Sequence, residues 1–336
     1  MSRPRRIDLP PYPTGWFAVA SSADLAPGDV RPVRYFGREL VLFRSEGGEA
    51  RLFDAHCPHL GAHLGHGGRV AGDDLVCPFH GFRFGADGRC SAMPYGSRIP
   101  AAARTRAFPV VEQNEVVLAW YGGPNEADAP DPDAPDAAGA RAAEPTWAMP
   151  VFDDARWTPA VSRTWTIRGH AQEVCENSAD TGHFRFVHRT HVMKATSEPK
   201  LDGPFFALPF ESDPEGVVPE LRVDDAPTAG TGYCFGPGLT AADIVPKGSG
   251  LVAMQRLYVT PVDDEHVELR GVVNVGRLES DAATRAYATS LAEAVFQQWE
   301  YDVPIWEHKV HRAAPALNDA ESAIATFRRW YAQFYA

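Results

Sequence analysis

Short runs of alternating or continuous apolar residues mark the first third of the chain: Val33-Arg-Tyr-Phe, Glu39-Leu-Val-Leu-Phe, Ala50-Arg-Leu-Phe and Val116-Val-Leu-Ala-Trp-Tyr, cut apart by Gly, Pro and Asp. Such runs between turn formers predict strands, so residues 1–125 are expected to form a small all-β domain. The pattern then fails. Pro124-Asn-Glu-Ala-Asp-Ala-Pro-Asp-Pro-Asp-Ala-Pro-Asp136 is too acidic and too poor in large apolar residues to pack a core, so 126–146 is expected to be an exposed linker. From 147 onward, β-like segments (158–168, 251–261, 266–275) mix with helical periodicity near 170–186 and 282–311. An α+β domain over 147–336 follows, with more strands than helices, and the aromatic end Phe327-Arg-Arg-Trp-Tyr-Ala-Gln-Phe-Tyr335 is expected to be docked.

The second helical segment carries an anomaly. Val295, Trp299 and Trp306 fall within about 40° of one another on a helical wheel, and Asp302 projects into the middle of that stripe, whereas Glu293, Glu300 and Glu307 point away. A carboxylate on a buried face is costly without a partner. A metal ion fits, and so does a buried salt bridge to Arg163 or Arg168. Pro304 weakens the helix at this turn.

Charge and composition narrow the possibilities. The chain has 336 residues with 32 Lys and Arg against 44 Asp and Glu, a formal net charge of -12, which disfavours binding to nucleic acid through phosphates. It lacks the long apolar run of a transmembrane helix and the apolar core of a signal peptide, so a soluble, cytoplasmic protein is expected. Five cysteines are too few for a disulfide framework in a chain of this length.

Two of them stand in paired motifs. Cys57-Pro-His59-Leu-Gly61 and Cys77-Pro-Phe-His80-Gly81 each offer one thiolate and one imidazole from a Gly/Pro turn. Zinc sites usually pair Cys with Cys and His with His, which leaves structural zinc as the lesser reading. One of each per loop suits a [2Fe–2S] cluster in which one iron takes both thiolates and the other both histidines. His56, His63 and His66 are read as supporting or surface residues, Gly61, Gly65, Gly67, Gly68 and Gly81 as shaping the turns, and Cys90, Cys175 and Cys234 as small buried apolar residues.

A second motif lies at Asn177, Asp180, His183 and His188. The first three are spaced by three and fall on adjoining parts of one helical face. His188 follows by five, a turn of about 140°, so both histidines meet one ion only if the helix ends or bulges between them. Two histidines and a carboxylate would complete the facial triad that activates oxygen at ferrous iron.

On the first pair of loops the chain resembles Rieske proteins. The respiratory-chain members join their loops through a disulfide, and Ala62 and Phe79 occupy those positions here; Phe82 stands where they place a serine that donates to a cluster sulfur. No such disulfide clamp can form here, and fewer hydrogen bonds to sulfur imply a lower potential, suited to electrons from NAD(P)H delivered by a ferredoxin or flavin reductase. Asn177-x-x-Asp180-x-x-His183-x4-His188 is similar to the iron motif of Rieske non-haem iron oxygenases. That resemblance implies a helix-grip (START/Bet v1-like) catalytic domain, with an apolar substrate lying between sheet and helix. It implies Fe(II) held by His183, His188 and Asp302, with O2 as co-substrate. It also implies a homotrimer in which Asp180, supported by Asn177, links that iron to His80 of a neighbouring subunit. Asp87-Gly-Arg-Cys-Ser-Ala-Met-Pro-Tyr95, Asp302-Val-Pro-Ile-Trp-Glu-His-Lys309 and the aromatic terminus look like the steroid-acting branch, which includes 3-ketosteroid 9α-hydroxylase oxygenase components and cholesterol 7-desaturases. The expected reaction is hydroxylation or desaturation of a steroid or sterol. A Rieske oxygenase or O-demethylase of smaller aromatics, and a non-catalytic electron carrier, are the alternatives.

Overall fold

The computed structural model describes residues 6–123, 143–152, 157–212, 228–246 and 252–335, so the expected linker falls, up to residue 142, outside the described residues. Two compact units result: Tyr12–Val151 with Val262–Asp264, and Met1–Pro11 with Phe152–Pro261 and Glu265–Ala336.

The first unit is built from short strands: β1 (Gly15–Ser21), β2 (Val30–Tyr35), β3 (Arg38–Arg44), β4 (Ala50–Asp54), β5 (Arg69–Ala71), β6 (Asp74–Val76), β7 (Arg83–Phe84), β8 (Cys90–Ala92), β9 (Ala107–Phe108), β10 (Val110–Gln113) and β11 (Val116–Tyr121). They pair antiparallel as β1-β11-β10, β2-β3-β4-β9 and β5-β6-β7-β8. Phe17, Leu40, Leu42, Leu52 and Val117 fill one core of the unit, and Val41, Phe43, Phe53, Leu75 and Phe84 fill another beneath Cys57 and Cys77. In β3 the buried side chains therefore point alternately to two different cores, as a period of two requires. Residues 262–264 belong to this unit because Val262 O accepts from Gly37 N at 3.0 Å and Asp264 accepts from the Tyr12 hydroxyl at 2.5 Å.

The second unit contains β12 (Val161–Arg168), α1 (Ala171–Cys175), α2 (His183–Phe186), β13 (Met193–Ala195), β14 (Lys200–Asp202), β15 (Phe205–Ser212), β16 (Thr228–Phe235), β17 (Leu239–Ala242), β18 (Val245–Pro246), β19 (Ala253–Pro261), β20 (His266–Val275), α3 (Asp281–His308) and α4 (Ser322–Tyr331). Among the described residues one antiparallel sheet of nine strands runs β12-β20-β19-β17-β16-β15-β13, with β14 on β15 and β18 on β16. β12 alternates cleanly: Val161, Arg163, Trp165 and Ile167 turn inward while Ser162, Thr164, Thr166 and Arg168 face solvent.

The long helix α3 lies on β12 and β20. It starts at Ser280, whose hydroxyl accepts from Ala283 N at 3.2 Å, and buries Thr284, Ala288, Ala292, Val295, Phe296, Asp302 and Trp306. Its close approach depends on Gly271 in β20, where a Cβ would stand 2.5 Å from the Trp299 ring. At its far end the Arg6 guanidinium donates to the carbonyls of Trp306 (2.9 Å) and Lys309, and to that of Arg168 at 3.2 Å. These include carbonyls left without partners by the end of the helix. That capping, with the His170 ring bonded to Pro10 O at 3.0 Å, draws residues 6–11 into the second unit, across the simple succession of 1–125 and 147–336.

The aromatic terminus is docked as expected. Phe327 and Tyr331 of α4 are fully buried against Phe206, with the Tyr331 hydroxyl donating to Pro237 O and the Trp330 indole to Gly203 O, both at 2.9 Å. Among the described residues no helix is long and apolar enough to cross a membrane.

Candidate metal centres

The two cluster loops share one hydrogen-bonded frame. Cys57 N donates to Ala62 O at 2.9 Å and Gly61 N returns to Cys57 O at 2.9 Å; Cys77 N donates to Phe82 O at 2.8 Å and Gly81 N returns to Cys77 O at 3.1 Å. Gly61 and Gly81 both have φ of 73, a left-handed turn that a side chain would strain by about 1 kcal/mol. Both sulfurs are buried, and burial pushes the Cys57 thiol up to about 11, with its neighbour Cys77 adding to the shift. The rings of His59 and His80 stand 4.6 Å apart, and His59 is stacked on Phe82 at 4.6 Å. His59 Nδ1 is buried with no hydrogen-bond partner among the described residues. Two buried thiols facing two imidazoles, one with an unused nitrogen, are a donor set that fits a [2Fe–2S] cluster.

His63 Nδ1 accepts from Gly65 N at 3.0 Å, its ring lies 4.4 Å from that of His66, and His56 pairs with Glu39 at 3.4 Å, so these three histidines form a separate group with partners of their own. Leu60, Phe79 and Tyr95 are 63%, 61% and 50% exposed, and Phe79 and Tyr95 flank the His80 ring.

In the second unit the expected single helix is broken. After α1 come a 3-10 turn at Glu176–Ser178, an irregular stretch, and the one-turn helix α2. Asn177, Asp180 and His183 therefore do not share one helical face. The break does the work that the spacing demanded: α2 stops at Phe186, and Arg189 takes a left-handed φ of 57. The chain folds back and sets the His188 ring 4.9 Å from that of His183. The possible ligand atoms of His183, His188 and Asp302 all lie within 4.8 Å of one another.

His183 and Asp302 are each held by named partners. His183 Nδ1 donates to the backbone carbonyl of Asp180 at 2.7 Å, which fixes the tautomer and leaves Nε2 as a ligand. The Asp180 carboxylate accepts from Gly182 N at 2.8 Å and His183 N at 3.2 Å. Asn177 accepts from the Trp306 indole at 3.4 Å and bonds to Asp302. Burial pushes the Asp302 carboxyl up to about 7 against the opposing bond from Asn177, and burial with nearby His183 takes His188 down to about 3. The arginines that might have neutralised Asp302 are engaged elsewhere: Arg163 with Glu293 (2.7 Å) and Glu300 (3.2 Å), Arg168 with Glu265 (3.1 Å). His188 Nδ1 has no hydrogen-bond partner among the described residues. A buried carboxyl facing two imidazoles held neutral fits a divalent transition metal.

The triad opens into a cavity of about 370 Å³ between the sheet and α3, walled by Phe210, Leu257, Val295, Trp299 and Trp306. Behind it lies a buried ionic cluster that spacing did not reveal. Glu173 of α1 meets Lys309 at 2.6 Å and His311 at 2.7 Å, while Glu176 meets Arg328 of α4 at 2.5 Å and Lys309 at 3.7 Å. It ties the elements bearing Asn177 and Asp302 together. Arg328→Ala leaves the Glu176 charge with only the more distant Lys309 at 3.7 Å and is expected to cost about 3 kcal/mol, read by denaturant unfolding. Burial alone would raise the Glu173 carboxyl, but Lys309 and His311 hold it below the ordinary range. Its stabilisation is thus present above the unfolded value of about 4.3 and lost as pH falls through the depressed one. Glu173→Gln should therefore flatten the fall of unfolding temperature below about pH 4. Cys175 and Cys234, distant in sequence, are neighbours: Cys234 Sγ donates to Cys175 O at 3.6 Å, and both are fully buried.

Residues 138–335 match the 3-Ketosteroid 9alpha-hydroxylase C-terminal domain, and residues 15–109 match the Rieske [2Fe-2S] domain. The chain belongs to this family of Rieske oxygenases. It is 30% identical to a cholesterol 7-desaturase of Hemicentrotus pulcherrimus over 98% of this chain and 71% of that protein. Against the oxygenase component of a Rhodococcus rhodochrous 3-ketosteroid-9-alpha-monooxygenase it is 28% identical over 98% and 87%. This Rieske oxygenase also shares its fold with dicamba monooxygenase (TM-score 0.67, 18% identity, 96% of this chain and 97% of that one). The QL mutant of Pseudomonas putida NdmA with caffeine superposes with a TM-score of 0.69 at 19% identity, covering 94% of this chain and 89% of that one. The expected α+β architecture, a Rieske domain followed by an oxygenase catalytic domain, is thereby established, and with it a redox enzyme that uses a [2Fe–2S] cluster, mononuclear iron and O2.

Proposed function

We propose that this chain is the oxygenase component of a cytoplasmic two-part system that hydroxylates or desaturates an unactivated C–H bond of a steroid or sterol, with electrons from a separate ferredoxin or flavin reductase. The observation that carries this reading is the juxtaposition of His183, His188 and Asp302 at the wall of an apolar cavity of about 370 Å³, within the size range of small-molecule pockets. The steroid class is supported by the family match and by the activities named for the relatives.

In this reading residues 1–125 form the Rieske domain, 126–146 the linker and 147–336 the catalytic domain. Cys57, His59, Cys77 and His80 hold the cluster, and His183, His188 and Asp302 hold iron. When bound, the cluster passes single electrons and ferrous iron activates oxygen. The protein's own part is positional. The Asp180 carbonyl orients His183, the Trp306–Asn177 pair holds the Asp302 carboxylate, and Trp299, Leu257 and Phe210 exclude water from the reacting carbon.

A trimer completes the electron path. The exposed rim of Leu60, Phe79 and Tyr95 near His80 is apolar surface suited to cover by a second copy, whose Asp180 would then meet His80.

Single turnover tests the function: iron-loaded, chemically reduced protein is mixed with oxygen and a panel of sterols, 3-ketosteroids and simple aromatics, and products are read by mass spectrometry. A steroid gaining one oxygen atom or losing two hydrogens is the expected result. Conversion confined to the aromatics would overturn the steroid assignment.

A further inference from the structure

Of the residues lining the cavity, two hold a buried side-chain polar atom without a hydrogen-bond partner among the described residues: His188 at Nδ1 and Gln298 at Oε1. The first belongs to the metal triad. The second has no part in the chemistry described so far.

Several other polar groups around the cavity already have partners. Ser178 and Thr240 bond to each other, the Thr190 hydroxyl donates to Phe184 O at 3.2 Å, and Asn177 takes the Trp306 indole. Gln298 stands beside Val295 and Trp299 on an otherwise apolar wall, four residues before Asp302 and so one helical turn from it on the same side of α3. A buried amide oxygen left unpaired costs stability, so an apolar wall is not improved by a glutamine unless something else takes up its hydrogen bond. A side-chain amide carries both a donor and an acceptor, so it serves a hydroxyl or a carbonyl equally.

We propose that the Gln298 amide is the polar anchor of the substrate pocket, bonding a hydroxyl or carbonyl oxygen of an otherwise apolar ligand on the triad side of the cavity. This deepens the steroid-oxygenase reading and rests on it for the identity of the ligand. The anchor fixes which end of a rigid ring system faces the triad, and hence which carbon is presented. Gln298 is thus a positioning and specificity residue.

The test is equilibrium binding to the iron-loaded protein without oxygen, followed by the fluorescence of Trp299 and Trp306. The probes are matched pairs: a 3-hydroxysteroid with its 3-deoxy parent, and a phenol with its parent arene. Gln298→Leu is expected to weaken the hydroxysteroid about tenfold, the factor that one good hydrogen bond represents, while the deoxy parent changes less than about twofold. Gln298→Glu, which keeps an acceptor, should retain hydroxysteroid binding. Because leucine removes an unpaired polar atom, the Gln298→Leu chain should unfold no earlier than the unaltered one. Equal losses for both members of a pair, or no loss for either, would overturn the anchor. A selective loss confined to the phenol, with neither steroid bound, would overturn the steroid reading and leave the anchor standing. Failure of the unaltered chain to bind either pair would overturn both.

Discussion

Asp302→Ala is expected to lower the iron content from about three to about two per chain and to abolish turnover, while the visible absorption of the cluster stays. Asp302 supplies the only carboxylate among the three clustered donors, and removing it leaves two imidazoles with open solvent-sized space where the third ligand stood. The loss should exceed the about 100-fold that deletion of a supporting partner costs at a metal site. The amide variant adds a test of opposite sign. In the metal-free chain the nearest basic group to the buried Asp302 carboxylate among the described residues is the His188 ring at 3.5 Å, held neutral by burial, so Asp302→Asn should raise stability at pH 8 by about 1–3 kcal/mol while still preventing iron loading. Colorimetric iron analysis and thermal unfolding read the two effects, and retention of three irons in Asp302→Ala would exclude the triad.

Asp180→Ala should separate electron delivery from metal binding. The bond that orients His183 runs to the backbone carbonyl of Asp180 and not to its side chain, so truncation leaves that bond in place. Both metal centres should survive, as judged by iron content and cluster spectrum, while reductase-driven turnover falls about 100-fold or more. Full activity in this variant would remove Asp180 from the electron path. Loss of the mononuclear iron would instead assign the carboxylate to holding the turn through Gly182 N and His183 N.

How far the sequence carried the reading depended on the range of the interactions involved. Strands in the first unit and the length of α3 followed from local periodicity, and of the stripe around Asp302, Val295 and Trp306 are buried and Trp299 partly so. The break between His183 and His188 was required by geometry, but its form was not visible: three-residue spacing cannot distinguish one helix from a 3-10 turn and a separate helix. Long-range contacts left no local trace. Nothing near Arg6 announces that it caps α3 some three hundred residues later, and nothing near Cys175 announces Cys234 as its neighbour. Gln298 carries no signal in the sequence, because what marks it is an amide oxygen that packing buries without a partner among the described residues.

The two proposed centres draw on very different stretches of chain. His80 follows Cys57 by 23 positions within one small unit, whereas Asp302 follows His183 by 119 and is delivered by the last long helix of the sheet that spans between them. During synthesis the cluster loops leave the ribosome complete while the mononuclear site still lacks a ligand, and closing so long a loop is entropically slow. Cluster assembly can thus precede and report folding of the amino-terminal part, and uptake of the last iron reports that the whole chain has folded.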